Sequence, residues 1–121
     1  TIPEIENLLQ HLQPIEKYSF NAFENENFQE AIKDSGRSQW LVCGIETHIC
    51  VYQTALGLLS HNFEVEIVSD CVSSRSKDHI ALALNKLQTK GAGLTNIEMC
   101  LYELVKNSKS ENFKEILKLI K

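Results

Sequence analysis

Apolar residues recur at two spacings along the chain, and the change between them predicts an alternation of helices and strands. Helical spacing predicts helices over residues 2–12, 26–34, 48–60, 77–88, 96–106 and 111–121. Thr1 and Glu4 have the spacing of a capping box at the first of these helices, and Pro14 ends it. Compact apolar or alternating runs predict strands over residues 39–44, 63–69 and 91–94, with a further short candidate at 15–17.

The predicted order of elements determines the fold class. Strands that alternate with helices pair in parallel and are joined by right-handed crossovers. We therefore expect an α/β fold with three layers, in which helices cover both faces of a parallel sheet. The 121 residues suit a single domain over residues 1–121, and no repeat, low-complexity segment or linker divides them.

The composition is typical of a soluble globular protein and argues against some classes of partner. Hydrophobic residues make up 43% and charged residues 23%, and the net charge is -4. The chain has no block of basic residues of the kind that binds nucleic acid. No apolar run approaches the roughly 20 residues that cross a membrane. The four cysteines form no Cys-x-x-Cys pair, which favours reduced thiols and a cytoplasmic location over a disulfide framework.

Three positions follow the ends of predicted strands, where open parallel sheets bind ligands. They are Lys17, the turn at residues 44–50, and Asp70. The turn places Cys50 at the start of a helix, where backbone N–H groups and the helix dipole favour thiolate and can hold an oxyanion. The alternatives are a small core cysteine at Cys50 and a solvated surface lysine at Lys17, and composition alone favours both.

Several motifs, in a consistent order, resemble the isochorismatase-like cysteine hydrolases, which include nicotinamidases and carbamoylsarcosine amidohydrolases. The strongest likeness is to the isochorismatase domain-containing proteins. The resemblance spans nearly the whole chain, and none of the motifs would suffice alone. It is carried by residues 16–23, 42–55, 68–76 and 113–116.

The resemblance implies specific roles around Cys50. Cys50 would be the nucleophile, and Lys17 the cation that stabilises its thiolate. The family has a non-proline cis peptide in this turn, which falls between Ile45 and Glu46. The N–H groups of Glu46 and Cys50 would then form the oxyanion hole.

The chain departs from the family pattern at its start. The third catalytic residue of the family is an aspartate that ends an N-terminal strand, and no such segment is present in the sequence. We therefore expect the C-terminal part of the family fold, without that strand. Two explanations compete: a longer chain whose start is missing, which the intact remainder and the start at Thr1 favour, or a degenerate relative. Asp70 is expected to be structural, binding a turn or a neighbouring helix start.

Smaller predictions concern the surroundings of the site. His48 is two residues from Cys50, so the two do not face each other on a helix, and His48 is expected at a pocket rim or an interface. Phe20 and Phe23 line the substrate pocket or belong to the core. Arg75 is read as a solvated charge or a cap. No cluster of residues predicts a metal site, and no cofactor is expected.

Together these observations predict hydrolysis of a C–N bond in a small amide-like substrate through a Cys50 thioester. The alternative is a catalytically incomplete family member that acts as an interaction or scaffold protein, which the absent aspartate favours. Family members are commonly oligomers with helices at the interface, so the resemblance also implies a homo-oligomer.

Overall fold

The computed structural model describes residues 2–120, in which helices and strands alternate as the pattern predicts. Thr1 and Lys121, the predicted outer ends of the first and last helices, lie outside the described residues. The helices are α1 (Pro3–Leu8), α2 (Glu26–Ser35), α3 (Tyr52–Ser60), α4 (Lys77–Thr89), α5 (Ile97–Val105) and α6 (Phe113–Leu119). The strands are β1 (Gln39–Ile45), β2 (Glu64–Ser73) and β3 (Gly93–Thr95). A 3₁₀ helix at Ala22–Glu24 and a π-helical turn at Thr47–Val51 complete the described secondary structure.

The three strands form one parallel sheet in the order β1-β2-β3. Helix α3 connects β1 to β2, and α4 connects β2 to β3, so each crossover uses one helix. At the carboxyl end of the sheet, Ile45 of β1 lies beside Ser73 of β2. Helices lie on both faces of the sheet, which confirms the predicted α/β class.

The core forms where α3 and α4 pack against β2. Ala55 and Leu58 of α3, Ile67 of β2 and Leu87 of α4 are almost fully buried. Their positions follow the predicted helical and strand spacings. Burial of these side chains stabilises the sheet and fixes the helix that follows the Cys50 turn.

Capping residues explain where several helices begin and end. Asn25 accepts a hydrogen bond from Phe28 N–H at the start of α2, and Asn96 accepts one from Met99 N–H at the start of α5. Gly36 ends α2 in the left-handed conformation, with φ of 63°. These ends agree with the predicted boundaries.

The structure corrects the prediction at the front of the chain. Helix α1 ends at Leu8 instead of continuing to residue 12, and no residue of α1 is buried. A short helix without tertiary packing has little to stabilise its last turn. Residues 15–17 form no strand. Within the part of the chain that the structure describes, β1 pairs only with β2, so these residues add no strand to the sheet.

Strand β2 is longer than predicted, running to Ser73 instead of residue 69. Polar residues such as Asp70 break the apolar pattern there, so the sequence alone indicates an earlier end. Backbone pairing with Gly44 and Ile45 of β1 continues past a register shift and extends the strand.

Candidate active site

The turn after β1 carries the predicted nucleophile. The Ile45–Glu46 peptide bond is cis, at the position that the resemblance implies. The Glu46 carbonyl then accepts hydrogen bonds from the N–H groups of Ile49 at 3.1 Å and Val51 at 3.2 Å. The second of these bonds closes a π-helical turn, which is wider than an α-helical one.

Cys50 lies inside this π-helical turn, and α3 begins two residues later. The sequence places it in the first turn of a helix, and the structure shows that this turn has the π-helical form. Cys50 is half-buried, whereas Thr47 and Val51 in the same turn are buried, with exposures of 0% and 4%. The turn is therefore anchored in the core while part of Cys50 remains accessible.

The segment that follows β2 contacts this turn through two side-chain pairs. Arg75 Nε donates to Glu46 Oε2 at 3.0 Å. His48 Nδ1 and Ser74 Oγ are 3.0 Å apart. The sequence reading of Arg75 as a solvated charge misses this pair, because Glu46 is 29 residues away and no local spacing connects them.

Arg75 also determines the ionisation of Glu46. Partial desolvation raises the pKa of the Glu46 carboxyl, but the hydrogen bond and charge of Arg75, with a smaller contribution from His48, lower it overall. His48 Nδ1 lies 3.8 Å from Glu46 Oε2. The Glu46 carboxylate is therefore ionised at neutral pH and is held beside a cation.

His48 faces helix α4. Its ring stacks on that of His79, with centroids 4.3 Å apart and a 31° angle between the planes. Both rings border a cavity of about 160 Å³ whose other lining residues are Tyr52, Leu82, Ala83 and Lys86. His48 therefore lies at a pocket rim, and the polar partners of its Nδ1 are Ser74 and Glu46.

Lys17 lies on an exposed loop and turns towards its own backbone. Its Nζ donates to the carbonyl of Ser19 at 2.9 Å, and a second carbonyl, that of Phe20, is 3.4 Å away. No contact joins Lys17 to Cys50 in the structure as described. The role of Lys17 beside the thiolate stays a prediction.

The loop that carries Lys17 is nevertheless attached to α3. Ala22 N–H donates to Thr54 Oγ1 of α3 at 2.9 Å. Gly57 of α3 allows close approach, because a Cβ there would lie 2.6 Å from Asn21 Oδ1. One helix therefore connects the Lys17 loop with the Cys50 turn.

The two predicted pocket phenylalanines differ. Phe20 is 59% exposed, whereas Phe23 is buried in the core and packs on His61, with ring centroids 4.1 Å apart. Phe23 also borders a cavity of about 550 Å³ next to α2, and Cys50 is not among the residues that line it. Phe23 is therefore a core residue, which was one of the two predicted roles. A place for Phe20 in the substrate pocket stays a prediction.

Asp70 has the structural role that was expected of it. Both of its carboxylate oxygens accept from Ile97 N–H, the first residue of α5, at 3.0 and 3.3 Å. Asp70 thus fixes the start of α5 against β2.

All four cysteines are free thiols. Burial, followed by the charge of Asp70 and the neighbouring Cys43 thiol, raises the pKa of Cys71. Cys71 is therefore mostly protonated at neutral pH and a weak competitor for electrophiles.

Two other kinds of feature are absent from residues 2–120. No group of three or more histidine, cysteine, aspartate or glutamate residues is arranged to hold a metal ion there. Among the helices of the same region, none is long and apolar enough to cross a membrane.

The isochorismatase domain model matches residues 2–99 of the chain. The chain belongs to the isochorismatase family. Isochorismatase domain-containing protein 2 of Danio rerio is 40% identical over 121 residues, which cover 99% of this chain and 60% of that protein. The chain thus spans about 60% of the length of such relatives.

Solved structures with the same fold include proteins from bacteria and from an animal. The octameric hydrolase YcaC of Escherichia coli has a TM-score of 0.87 and 25% identity, over 91% of this chain and 54% of that one. YcaC of Pseudomonas aeruginosa, solved with covalent acrylamide, has a TM-score of 0.85 and 27% identity, over 96% and 59%. The MAR1 ribonuclease of Caenorhabditis elegans has a TM-score of 0.84 and 31% identity, over 99% and 62%. These likenesses confirm the isochorismatase-like fold.

Proposed function

We propose that this chain belongs to a hydrolase that cleaves a C–N bond in a small amide-like molecule, with Cys50 as the nucleophile. The observation that carries the proposal is the half-buried Cys50 in the turn that leaves β1 at the carboxyl edge of the sheet. Open parallel sheets bind ligands at that edge. Family membership favours a hydrolase there.

The proposed reaction uses the turn in two ways. The Cys50 thiolate attacks the carbonyl carbon and forms a C–S bond, while the N–H groups of Glu46 and Cys50 stabilise the oxyanion. The C–N bond then breaks and the amine leaves with a proton. Water attacks the thioester, releases the acid and restores the thiol.

Two further groups take part in this scheme. Lys17 stabilises the thiolate once its ammonium leaves the Ser19 and Phe20 carbonyls. The proton passes to the leaving amine through the aspartate of the family pattern, which we assign to none of the described residues. The covalent acrylamide in Pseudomonas YcaC supports a reactive nucleophile in a protein of the same fold, because acrylamide adds to nucleophilic side chains through its C=C bond.

Alkylation of the 121-residue chain tests the nucleophile directly. Iodoacetamide at limiting concentration and neutral pH, followed by peptide mass mapping, should modify Cys50 before Cys43, Cys71 and Cys100. Cys71 reacts slowly because burial raises its pKa. Hydrolysis of simple amides should be lost in Cys50→Ser, by roughly a thousandfold or more.

Equal labelling of all four thiols, or none at Cys50, would contradict the enzyme proposal. Such a result would favour the alternative of an interaction or scaffold protein with the same fold. The substitution Cys43→Ser is the matched control, because it removes an exposed thiol from β1 and leaves the turn intact.

A second candidate function is cleavage of RNA. The observation that favours it is the 31% identity to the MAR1 ribonuclease over 99% of this chain. The net charge of -4 opposes it, because binding to phosphates needs clustered positive charge. Incubation with a fluorescent single-stranded RNA separates the candidates, since only a ribonuclease would cleave it and lose that cleavage in Cys50→Ser.

We also propose a homo-oligomer and a small-molecule substrate, and the cytoplasmic location stays a prediction. The octameric state of the Escherichia coli relative supports self-association. Apolar side chains that are exposed on α1 and α5, such as Leu8 and Leu104, provide surface for such contacts. A light-scattering mass of a monomer across the micromolar range would contradict the oligomer.

A further inference from the structure

Three of the four free thiols form a group around the middle of the sheet. Cys43 is in β1, Cys71 is in β2 and Cys100 is in α5. The thiols of Cys43 and Cys100 both contribute to the raised pKa of Cys71, and the contribution of Cys43 is the larger. Because charge effects fall off with distance, both thiols lie near that of Cys71, and Cys43 is the stronger neighbour.

The register of the sheet brings Cys43 and Cys71 opposite each other. Ile45 of β1 pairs with Ser73 of β2 in the parallel ladder. Cys43 and Cys71 each lie two residues before a member of that pair. Residues that are two apart in a strand point to the same face of the sheet, so both thiols lie on the face that carries Ile45 and Ser73.

The spacing of the two strands suits a bond between these cysteines. Neighbouring strands are about 4.8 Å apart, and disulfides join residues whose Cα atoms are about 4.4–6.8 Å apart. The register shifts between Val42 and Gly44, so the ladder is irregular at Cys43. An irregular ladder leaves the local backbone less constrained than a regular one. The two cysteines therefore have room to adjust to the geometry of a disulfide.

The three thiols differ in their access to solvent. Cys43 is exposed, and Cys71 is half-buried. Cys100 is buried, and its Sγ lies 3.4 Å from Thr95 Oγ1. A dissolved oxidant therefore reaches Cys43 first, and Cys71 is the thiol that lies across the ladder from it.

We propose that Cys43 and Cys71 form a reversible disulfide when the chain meets a peroxide. The bond joins β1 to β2 just before the turn that leaves β1. It is a modification site next to the candidate active site, and it does not depend on the proposed function, because neither thiol belongs to the Cys50 turn. Reduced thiols in the resting chain agree with a bond that forms only under oxidation.

The oxidation proceeds in two steps. The Cys43 sulfur attacks one oxygen of the peroxide and the O–O bond breaks, so Cys43 becomes a sulfenic acid and the second oxygen leaves as water or an alcohol. The Cys71 sulfur then attacks the sulfenic sulfur and forms the S–S bond, while the hydroxyl leaves as water with the Cys71 proton. The two thiols have lost two electrons and two protons, which the peroxide has accepted.

The environment of Cys71 affects the second of these steps. Burial and the charge of Asp70 raise the pKa of the Cys71 thiol, so little of it is thiolate at neutral pH. Its place opposite Cys43 offsets this loss, because a group held beside its target reacts at a high effective concentration.

The test treats the reduced chain with hydrogen peroxide at low micromolar protein concentration. Remaining thiols are then blocked with N-ethylmaleimide, and the peptides are mapped without reductant. Trypsin alone leaves three of the cysteines together in residues 38–75, so a protease that cleaves after glutamate is added. Cleavage after Glu46 and Glu66 separates those cysteines from one another.

We expect the fragment with Cys43 to be joined to the fragment with Cys71, and a thiol reductant to reverse the link. The matched control is Cys50→Ser, which removes a half-buried thiol outside the pair and should form the link to the same extent. In Cys71→Ser the reaction should stop at the Cys43 sulfenic acid. Dimedone should therefore trap about tenfold more of that acid in Cys71→Ser than in wild type.

The inference is overturned if the main product joins the Cys43 residues of two molecules, or joins Cys71 to Cys100. A main product in which Cys50 is linked to either member of the pair also overturns it. So does oxidation of Cys43 to the sulfinic acid without a link, because Cys71 would then not reach it. The map of the wild-type chain decides each of these outcomes, whether or not the variants fold.

Discussion

The turn that carries Cys50 and the loop that carries Lys17 are held in place in different ways. The turn is anchored by the burial of its own Thr47 and Val51, and by side-chain contacts with Arg75 and Ser74 in the segment after β2. The loop is attached to α3 at residues 21–23, but the Lys17 side chain itself is exposed and bonded only to carbonyls of its own loop.

The difference concerns how far the Cys50 turn and the Lys17 loop must each rearrange before a reaction. Groups that are held by packing and hydrogen bonds need no rearrangement when charge develops. The Cys50 turn has that support in the structure as it stands. In the proposed reaction the Lys17 ammonium would first exchange its carbonyl partners for the thiolate, so we propose that the loop is the part that rearranges.

Among the changes that test this comparison, the largest effect should come from removing the positive charge of Lys17. Lys17→Met should lower kcat/KM for amide hydrolysis by about a hundredfold, because the thiolate and the oxyanion lose a nearby cation. The unfolding midpoint should change little, since the side chain is exposed. Lys109→Met, in a distant exposed segment, is the control, and a loss at Lys17 no greater than at Lys109 would remove Lys17 from the site.

An intermediate effect should come from a substitution that disturbs the packing of the loop against α3. Helix propensity alone would make Gly57→Ala stabilising by about 1 kcal/mol. The added Cβ would lie 2.6 Å from Asn21 Oδ1 and 2.9 Å from Phe23 Cβ. We therefore expect the opposite sign, a loss of about 1–3 kcal/mol in the free energy of unfolding.

Urea unfolding measures this change, with Gln53→Ala on the exposed side of α3 as the control. A more stable Gly57→Ala protein would show that the loop does not pack against Gly57 in solution.

The smallest effect should appear in the pH dependence of stability at the turn. The pKa of Glu46 is lowered below 4.5 in the folded chain, so its carboxylate contributes stability above that pH. The contribution is lost as the pH falls through the folded pKa. The unfolding midpoint of wild type should therefore exceed that of Glu46→Gln at neutral pH, and the two should converge in acid.

The control for this measurement is Glu24→Gln, which changes the same charge at an exposed position outside the turn. A difference between wild type and Glu46→Gln that persists unchanged at pH 3 would show that Glu46 acts through packing and not through its charge.

Local patterns predicted most of the fold because helix and strand spacing depends on neighbours along the chain. Helices α2, α4 and α5 are examples. The end of the predicted strand located the Cys50 turn, and the resemblance supplied the place of the Ile45–Glu46 cis peptide.

Features that depend on distant residues could not be predicted in the same way. The π-helical form of the turn and the Arg75 pair need the packing of β2 against β1. Helix α1 is the converse case: its apolar spacing is helical, but it packs on nothing buried in the described chain and ends early. Spacing shows which residues can form a helix, and tertiary contacts decide where it stops.

Strand β1 has a consequence for handling the protein. Its second edge pairs with no strand among residues 2–120, and Leu41 and Ile45 are exposed on one face of the strand. An uncovered apolar edge is a template on which another extended chain can add, in register, by backbone hydrogen bonds. Aggregation of this chain should therefore start at β1 and grow by strand addition, and a lysine in place of Leu41 would be the natural way to prevent it.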